Sequence, residues 1–563
     1  MLGFLKDIFT FICRDCSHFR GYHPVADCVR ENSANAVAAA KKTLCCILMV
    51  FLVSITMGPA LARAADDAAQ PDVSQQSAGT AAQATASNSQ TLAIAAPNEI
   101  PGWPENSSVW GTPETVENSK TTNTITPTQI PGCCANSAPL PSWVPHLLGA
   151  QANYVLQGAL PFHSPYSGPN SFSDVGGNRE DLTQVYGVYL GSQLAPGLQL
   201  YIDSEMFKGD GLSKGTGLAG YVNGDVLRAG SNGLPNDPYI ARFYLRYYYA
   251  LGTETHKVAA GPDQLPGEEP IRRWEMKFGK LAAVDDFDLN RYANQNRWQF
   301  MNYDFLYNTS WDYAADTRGY SYGVVEALYE PSWRTVLGIY LEPNTQNGAN
   351  FNFNNMNALG YNYEIDISPD SYGTVIRLLS FYNTGNMGNY DAALALAQQT
   401  GASIPNILAV EKPGGYEYGF GLNFEQPLAD DGATGIFGRL GWNNGSDENW
   451  SYTECDENAD IGAQICGVHW DRPLDRVGVA FGVDGLSGPH ERYLAAGGIG
   501  MLLGDGKLSY GLEKAMETYY RYQAGRFVQV SPDFQLIQNP GYNKARGPVE
   551  VFGLRVRVYW LPL

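Results

Sequence analysis

Three separated segments alternate charged side chains with apolar or aromatic ones. In Arg242 to Tyr249 one face carries Arg242, Tyr244, Arg246 and Tyr248, and the other carries Phe243, Leu245, Tyr247 and Tyr249. Arg273, Glu275 and Lys277 alternate with Trp274, Met276 and Phe278, and Arg555 and Arg557 alternate with Leu554, Val556, Val558 and Trp560. A guanidinium presents five donors in a fixed fork, which suits hydroxyl and carboxylate oxygens. An aromatic face stacks on the apolar face of a sugar ring. If the charged faces line a water-filled pore, Arg246, Arg273 and Arg557 bind sugar hydroxyls and set ion preference. Tyr244 and Tyr248 then act as a sugar slide, with Glu275 and Lys277 as compensating charge. On a soluble sheet the same arginines are merely solvated, and a register slip of one residue reverses every assignment.

Other chemistries find less support. Gly319-Tyr320-Ser321-Tyr322-Gly323 matches the GxSxG pattern, but a nucleophile elbow needs a following helix, and Val324, Val325, Ala327 and Tyr329 read as a strand. Asp286-Phe287-Asp288-Leu289-Asn290 opens like a calcium loop, yet Arg291 and Arg297 stand where glycine and glutamate are needed. A turn whose carboxylates cap or pair with those two arginines is the simpler expectation. Gly497 to Gly506 lacks the GK[ST] ending of a phosphate loop and reads as a glycine-rich strand entering an Asp505-Gly506 hairpin turn. There is no HExxH, the seven histidines are scattered, and the four cysteines beyond residue 64 lack the paired CxxC spacing of a zinc site, so neither a metal nor a cofactor is expected.

The composition says what kind of element positions these residues. Gly 61, Tyr 35 and only 17% charged residues point to many short strands and turns rather than packed helices. A net charge of -20 sets aside nucleic acid as a partner, since phosphate neutralisation needs clustered Lys and Arg. Lys41 and Lys42 precede an apolar run from Thr43 to Met57, followed by small-residue sites at Ala60 to Ala64. This reads as a secretory signal, the run being too short for a membrane anchor, and either the true start lies nearer Lys41 or the signal follows an unusually long leader. Residues 1–64 are therefore expected to be leader and signal peptide. Residues 65–142, rich in Ala, Gln, Ser, Thr and Pro, are expected to form a disordered periplasmic extension. Cys455 and Cys466 flank an acidic stretch and are expected to be able to close a loop disulfide in an oxidising compartment.

From 143 to 563 the pattern is period-two alternation broken by Gly, Asn, Asp and Pro. An exported chain with no membrane helix enters a membrane only as a closed barrel. The expected fold is all-β, a transmembrane antiparallel up-and-down β-barrel. An even strand number near sixteen allows about 26 residues per strand and connector. Long loops are expected around 209–238, 344–357, 386–413 and 443–465.

Several ordered blocks resemble the carbohydrate-selective outer-membrane porin family of OprB type. They include Lys280 to Arg297 (KLAAVDDFDLNRYANQNR) and Asn302 to Gly323 (NYDFLYNTSWDYAADTRGYSYG), the latter similar to an aromatic-rich strand, a turn and a returning strand. Leu486 to Gly511, Glu517 to Tyr520, Ser531 to Gln535, Asn539 to Asn543 and Arg546 to Val549 resemble the family's C-terminal signature. The resemblance implies a sixteen-stranded barrel in the outer membrane of a Gram-negative-type bacterium. It implies passive passage of small carbohydrates without a cofactor, lipids around the wall, and either a monomer or a homotrimer. The family's tryptophan- and glycine-rich opening is not evident between Ser107 and Ser142, and Trp560 stands in for the usual terminal aromatic. The rival readings are a general or anion-selective porin and, further off, an outer-membrane enzyme acting on polysaccharide, which requires two carboxylates across a sugar.

Overall fold

Alternation of polar and apolar residues leaves each strand with one wet face and one dry face, and a sheet closed on itself satisfies both without an edge. The computed structural model describes residues 146–173, 180–225, 236–351, 353 and 358–560. The leader, the signal and the extension expected over 1–142 lie outside the described residues. Of the described residues, Phe353 stands apart from the unit that the remainder forms.

The remainder contains a closed barrel of sixteen strands, every neighbouring pair antiparallel. The strands are β1 (Leu147–Ala159), β2 (Glu180–Ala195), β3 (Leu198–Lys208), β4 (Tyr239–Ala250), β7 (Arg273–Leu281), β8 (Ser321–Glu330), β9 (Trp333–Leu341), β10 (Leu359–Ile367), β11 (Val375–Met387), β12 (Lys412–Ala429), β13 (Thr434–Asn443), β14 (Glu457–Cys466), β15 (Arg476–Gly485), β16 (Glu513–Gln523), β17 (Val528–Gln538) and β18 (Val549–Trp560). Closure pairs β1 with β18, from Ala150 opposite Trp560 to Ala159 opposite Val551. A separate two-stranded hairpin, β5 (Thr255–Val258) with β6 (Gly267–Pro270), sits in the connection from β4 to β7. Two helices, α1 (Tyr390–Thr400) and α2 (Gly488–Ala495), belong to long loops.

Short turns gather at the end that holds Leu147 and Trp560, the periplasmic end by the usual arrangement of such barrels. One of them, Pro196-Gly197, shows why its glycine is needed. Gly197 has φ 73°, and a Cβ there would meet the carbonyl oxygen of Tyr248 at 2.3 Å. The long loops leave from the opposite end.

Side-chain burial follows the strand period. Along β18, Arg555, Arg557 and Tyr559 are buried, while Phe552, Leu554, Val558 and Trp560 are exposed. The same alternation leaves Leu148, Leu156, Phe243, Leu337, Leu378, Phe420, Leu440, Ile461 and Phe481 on the outer wall. So continuous an apolar surface demands a lipid-like environment. The opposite parity would point Arg555 and Arg557 at acyl chains, at about 2–4 kcal/mol each near the bilayer midplane. Among the described residues, no helix is long and apolar enough to cross a membrane.

Four local expectations are corrected. Asn302 to Tyr320 is not an aromatic strand and turn but irregular chain with a 3-10 turn at Tyr303–Phe305, and strand begins only at Ser321. Its alternating aromatics pack on one another instead of pairing in a ladder. Gly497 to Gly506 forms no strand, because Leu502 and Leu503 N–H donate to Glu454 Oε2, both at 2.6 Å, rather than to a neighbouring strand. The stretch 443–465 is loop only to Asp456; residues from Glu457 are β14.

The fourth correction concerns Cys455 and Cys466, which are free and buried. They stand at the two ends of β14, and eleven residues of extended chain span roughly 35 Å, far beyond the approximately 7 Å limit for a disulfide. Cys455 Sγ instead contacts Asp484 Oδ1 at 3.4 Å, and Cys466 Sγ contacts Pro473 O at 3.3 Å.

Candidate functional site: an arginine and tyrosine constriction

Several connections turn inward and narrow the lumen, among them the β13–β14 loop that carries Tyr452 and three further segments. The largest is 282–320, between β7 and β8, whose buried polar side chains find partners on distant strands. Asp288 accepts from Arg439 Nε at 2.9 Å and Asn423 Nδ2 at 2.7 Å, and Asp286 accepts from Lys277 Nζ at 2.7 Å. These are not the partners expected from sequence, since Arg291 faces Glu425 and Arg297 faces Glu205. Glycines on the wall let this loop approach, and a Cβ at Gly441 would meet Asn308 Oδ1 at 2.0 Å.

The second inward segment is 217–225 of the β3–β4 loop. Tyr221 OH donates to Tyr452 O at 2.7 Å, and Gly224 N donates to Met301 O at 2.8 Å. The third comes from the periplasmic end, where residues 259–265 beside the β5–β6 hairpin enter the barrel. Leu265 N donates to Tyr201 OH at 3.1 Å, and Leu265 is buried.

These segments border an open cavity of about 140 Å³. Two ion-pair clusters line it. Arg242 binds Asp285 through two bonds of 2.6 and 2.7 Å, and it also faces Asp203 at 3.3 Å and Asp263 at 3.6 Å. Arg297 reaches Glu205 at 2.8 Å and Asp225 at 3.4 Å, and Glu205 also accepts from Tyr320 OH at 2.5 Å. Burial pushes the Asp263 carboxyl above its ordinary range against the pull of Arg242. One guanidinium thus serves three carboxylates.

A tyrosine cluster lines the same cavity. Tyr452 stacks on Tyr303 with ring centroids 6.0 Å apart and on Tyr313 at 5.2 Å, and Tyr303 and Tyr313 share a hydroxyl hydrogen bond of 3.0 Å. Tyr307, Tyr320 and Trp298 also belong to the aromatic lining. Beneath them Asp304 is buried, neither of its carboxylate oxygens is hydrogen-bonded, and burial pushes its carboxyl up to about 7.

All nine residues singled out from sequence face inward, but Arg242 alone of them lines the cavity. Arg246 is clamped by Glu269 and, at 2.7 Å, by Glu275, with Tyr248 5.3 Å from its guanidinium. Tyr244 is buried against Tyr201, ring centroids 5.2 Å apart. Arg273 binds Glu275 at 3.1 Å and lies 3.6 Å over the Tyr329 ring, while Lys277 is taken by Asp286. Arg555 holds Asn296 O, and Arg557 binds Gln151 at 3.2 Å and lies 4.2 Å over Trp298. The loop residues Arg297, Tyr303, Tyr313 and Tyr452 escape strand parity altogether. Arg297 closes the block KLAAVDDFDLNRYANQNR, and Tyr303 and Tyr313 lie in the aromatic-rich block Asn302 to Gly323, whereas nothing in the sequence singled out Tyr452.

The fold is shared with a solved outer-membrane channel. OprB of Pseudomonas putida, in its high-pH structure, superposes with a TM-score of 0.55 at 14% identity, over 73% of this chain and 94% of that one. The channel DcaP of Acinetobacter baumannii (TM-score 0.41, 10% identity, 73% and 96% covered) and OmpF of Salmonella typhi (0.41, 10%, 73% and 97%) are more distant. Among curated proteins none matches this sequence. The sequence model of the carbohydrate-selective porin, OprB family, matches residues 268–559, more than half of the chain and nearly all of the barrel from the β5–β6 hairpin onward. The chain belongs to that family and is an outer-membrane porin through which small solutes diffuse.

Proposed function

We propose that neutral monosaccharides pass through the cavity between the Arg242 and Arg297 clusters and the tyrosines of the 282–320 loop. The observation that carries this reading is that fixed hydrogen-bonding charges and stacked rings line the same cavity. Sugar hydroxyls match the first and the C–H face of a pyranose matches the second. Because Arg242 and Arg297 are held by carboxylates, they are fixed in place and present their remaining donors without reorganising.

The same pairing speaks against hydrolysis. A glycosidase sets two carboxyl groups about 5–9.5 Å apart across an open sugar site. Here Asp203, Asp263 and Asp285 all converge on one guanidinium. The bilayer test is direct. Conductance carried by potassium chloride should fall as glucose is added and recover on its removal; a channel whose current glucose leaves unchanged would refute the reading.

A further inference from the structure

The inward arginines divide into two populations. Arg334, Arg377 and Arg439, on β9, β11 and β13, each face a carboxylate at 2.9 to 3.3 Å. The wall formed by β15 to β18 is built differently. Arg476 and Arg521 are direct partners across the β15–β16 ladder, and both are buried on the inward face. Such a pair brings the two Cα atoms to about 5.5 Å, a placement in which like charges repel. Arg555 follows two strands further on, roughly 10 Å from Arg521.

Among the described residues, neither Arg521 nor Arg555 has an ion-pair partner. Arg555 is held by two neutral oxygens, Asn296 O and Ser531 Oγ, the latter at 3.4 Å. Arg521 Nε is buried with no hydrogen-bond partner. Asp533 of the same wall accepts from Gln535 Nε2 at 3.0 Å. Arg521 and Arg555, two inward guanidiniums on one wall with no ion-paired carboxylate among the described residues, form a receptor for an oxyanion, which restores both charge and hydrogen bonding.

The neighbours of this wall are neutral and polar. Gln529 Nε2 donates to Gln523 Oε1 at 2.9 Å, and Gln523 Nε2 donates to Tyr559 OH at 3.2 Å, forming an amide row suited to hydroxyls. The row adjoins the sugar cavity, because Arg557 bonds both Gln529 and the cavity residue Gln151.

We propose that this wall is a second subsite, for sugars that carry a carboxylate. Arg521, flanked by Arg476 and Arg555, holds the acid group, and the Gln523–Gln529 row holds the hydroxyls. The proposal rests on the sugar-channel reading above and extends it to sugar acids.

The test compares gluconate with glucose as blockers of the conductance of the full chain in planar bilayers. Gluconate should half-block at a concentration about tenfold below that of glucose. Arg521→Gln should remove that advantage while leaving the glucose value within about twofold, and Arg521→Lys, which keeps the charge, should retain most of it. The wild-type comparison stands even if Arg521→Gln does not assemble. Gluconate blocking no better than glucose, or Arg521→Gln shifting both sugars equally, would overturn the proposal. Failure of glucose to block, together with a gluconate block that Arg521→Gln abolishes, would refute the neutral-sugar reading and sustain this one.

Discussion

Arg439 Nε on β13 lies 2.9 Å from Asp288 Oδ2 although 151 positions separate the two residues, and both side chains are almost wholly buried. The same guanidinium donates to Ala293 O at 2.6 Å, Leu306 O at 3.1 Å and Phe305 O at 3.2 Å, so one wall residue grips four residues of the lumenal loop. Removing one member of a buried pair leaves the other charge uncompensated, at about 3–5 kcal/mol. Arg439→Ala should therefore lower thermal stability by that order and release the loop. Single-channel recordings should show larger and noisier currents than the wild type.

Arg242 balances three carboxylates, Asp203, Asp263 and Asp285. Arg242→Gln removes the only cation of that cluster and leaves its acids facing the channel. Reversal potentials in a potassium chloride gradient should shift toward cation selectivity. A shift toward chloride would mean that these carboxylates do not govern the ion path.

His490 on α2 ties three outer loops together. Its ring stacks on Tyr390 of α1 at 4.3 Å, Nδ1 meets Asp456 Oδ2 at 3.0 Å, and Nε2 faces Glu454 Oε1 at 3.7 Å. Burial disfavours its charge, but Asp456 and Glu454 outweigh burial and lift the imidazolium to about 9. A histidine raised on folding stabilises the folded state fully below its ordinary value near 6.5, and that contribution is gone once pH passes about 9. Protease nicking of the loops should accelerate between pH 6.5 and 9.5 in the wild type, whereas in His490→Gln the rate should already be high and change little.

Cys455 is buried beside Asp484, and its thiol is pushed up by burial and by that carboxylate. Folded protein should resist alkylation at Cys455, and reductant should leave thermal stability unchanged. Loss of stability on reduction would revive the pairing with Cys466.

The barrel wall was legible because the strand period is two and each strand carries its own evidence. Arg242 and Phe243, or Arg555 and Leu554, declare opposite faces locally, and the closed sheet then places them. The constriction was not legible in the same way. The aromatics of 302–320 alternate as a strand would, yet Tyr303 and Tyr313 find their common partner in Tyr452, far along the chain. Asp263 belongs to a periplasmic turn, whose entry into the lumen depends on Arg242 and Tyr201 already being in place. Cys455 and Cys466 misled because the acidic stretch between them is a barrel strand with Asp460 turned inward, not a surface loop.

The central claim is that the inward faces enclose a water-filled path sized for small sugars, and osmotic swelling of proteoliposomes measures it most directly. Vesicles containing the protein and moved into isotonic glucose should swell far faster than protein-free vesicles, and slower in sugars too large for the constriction. Swelling no faster than that of protein-free vesicles, from barrels shown to be folded and inserted, would contradict the account.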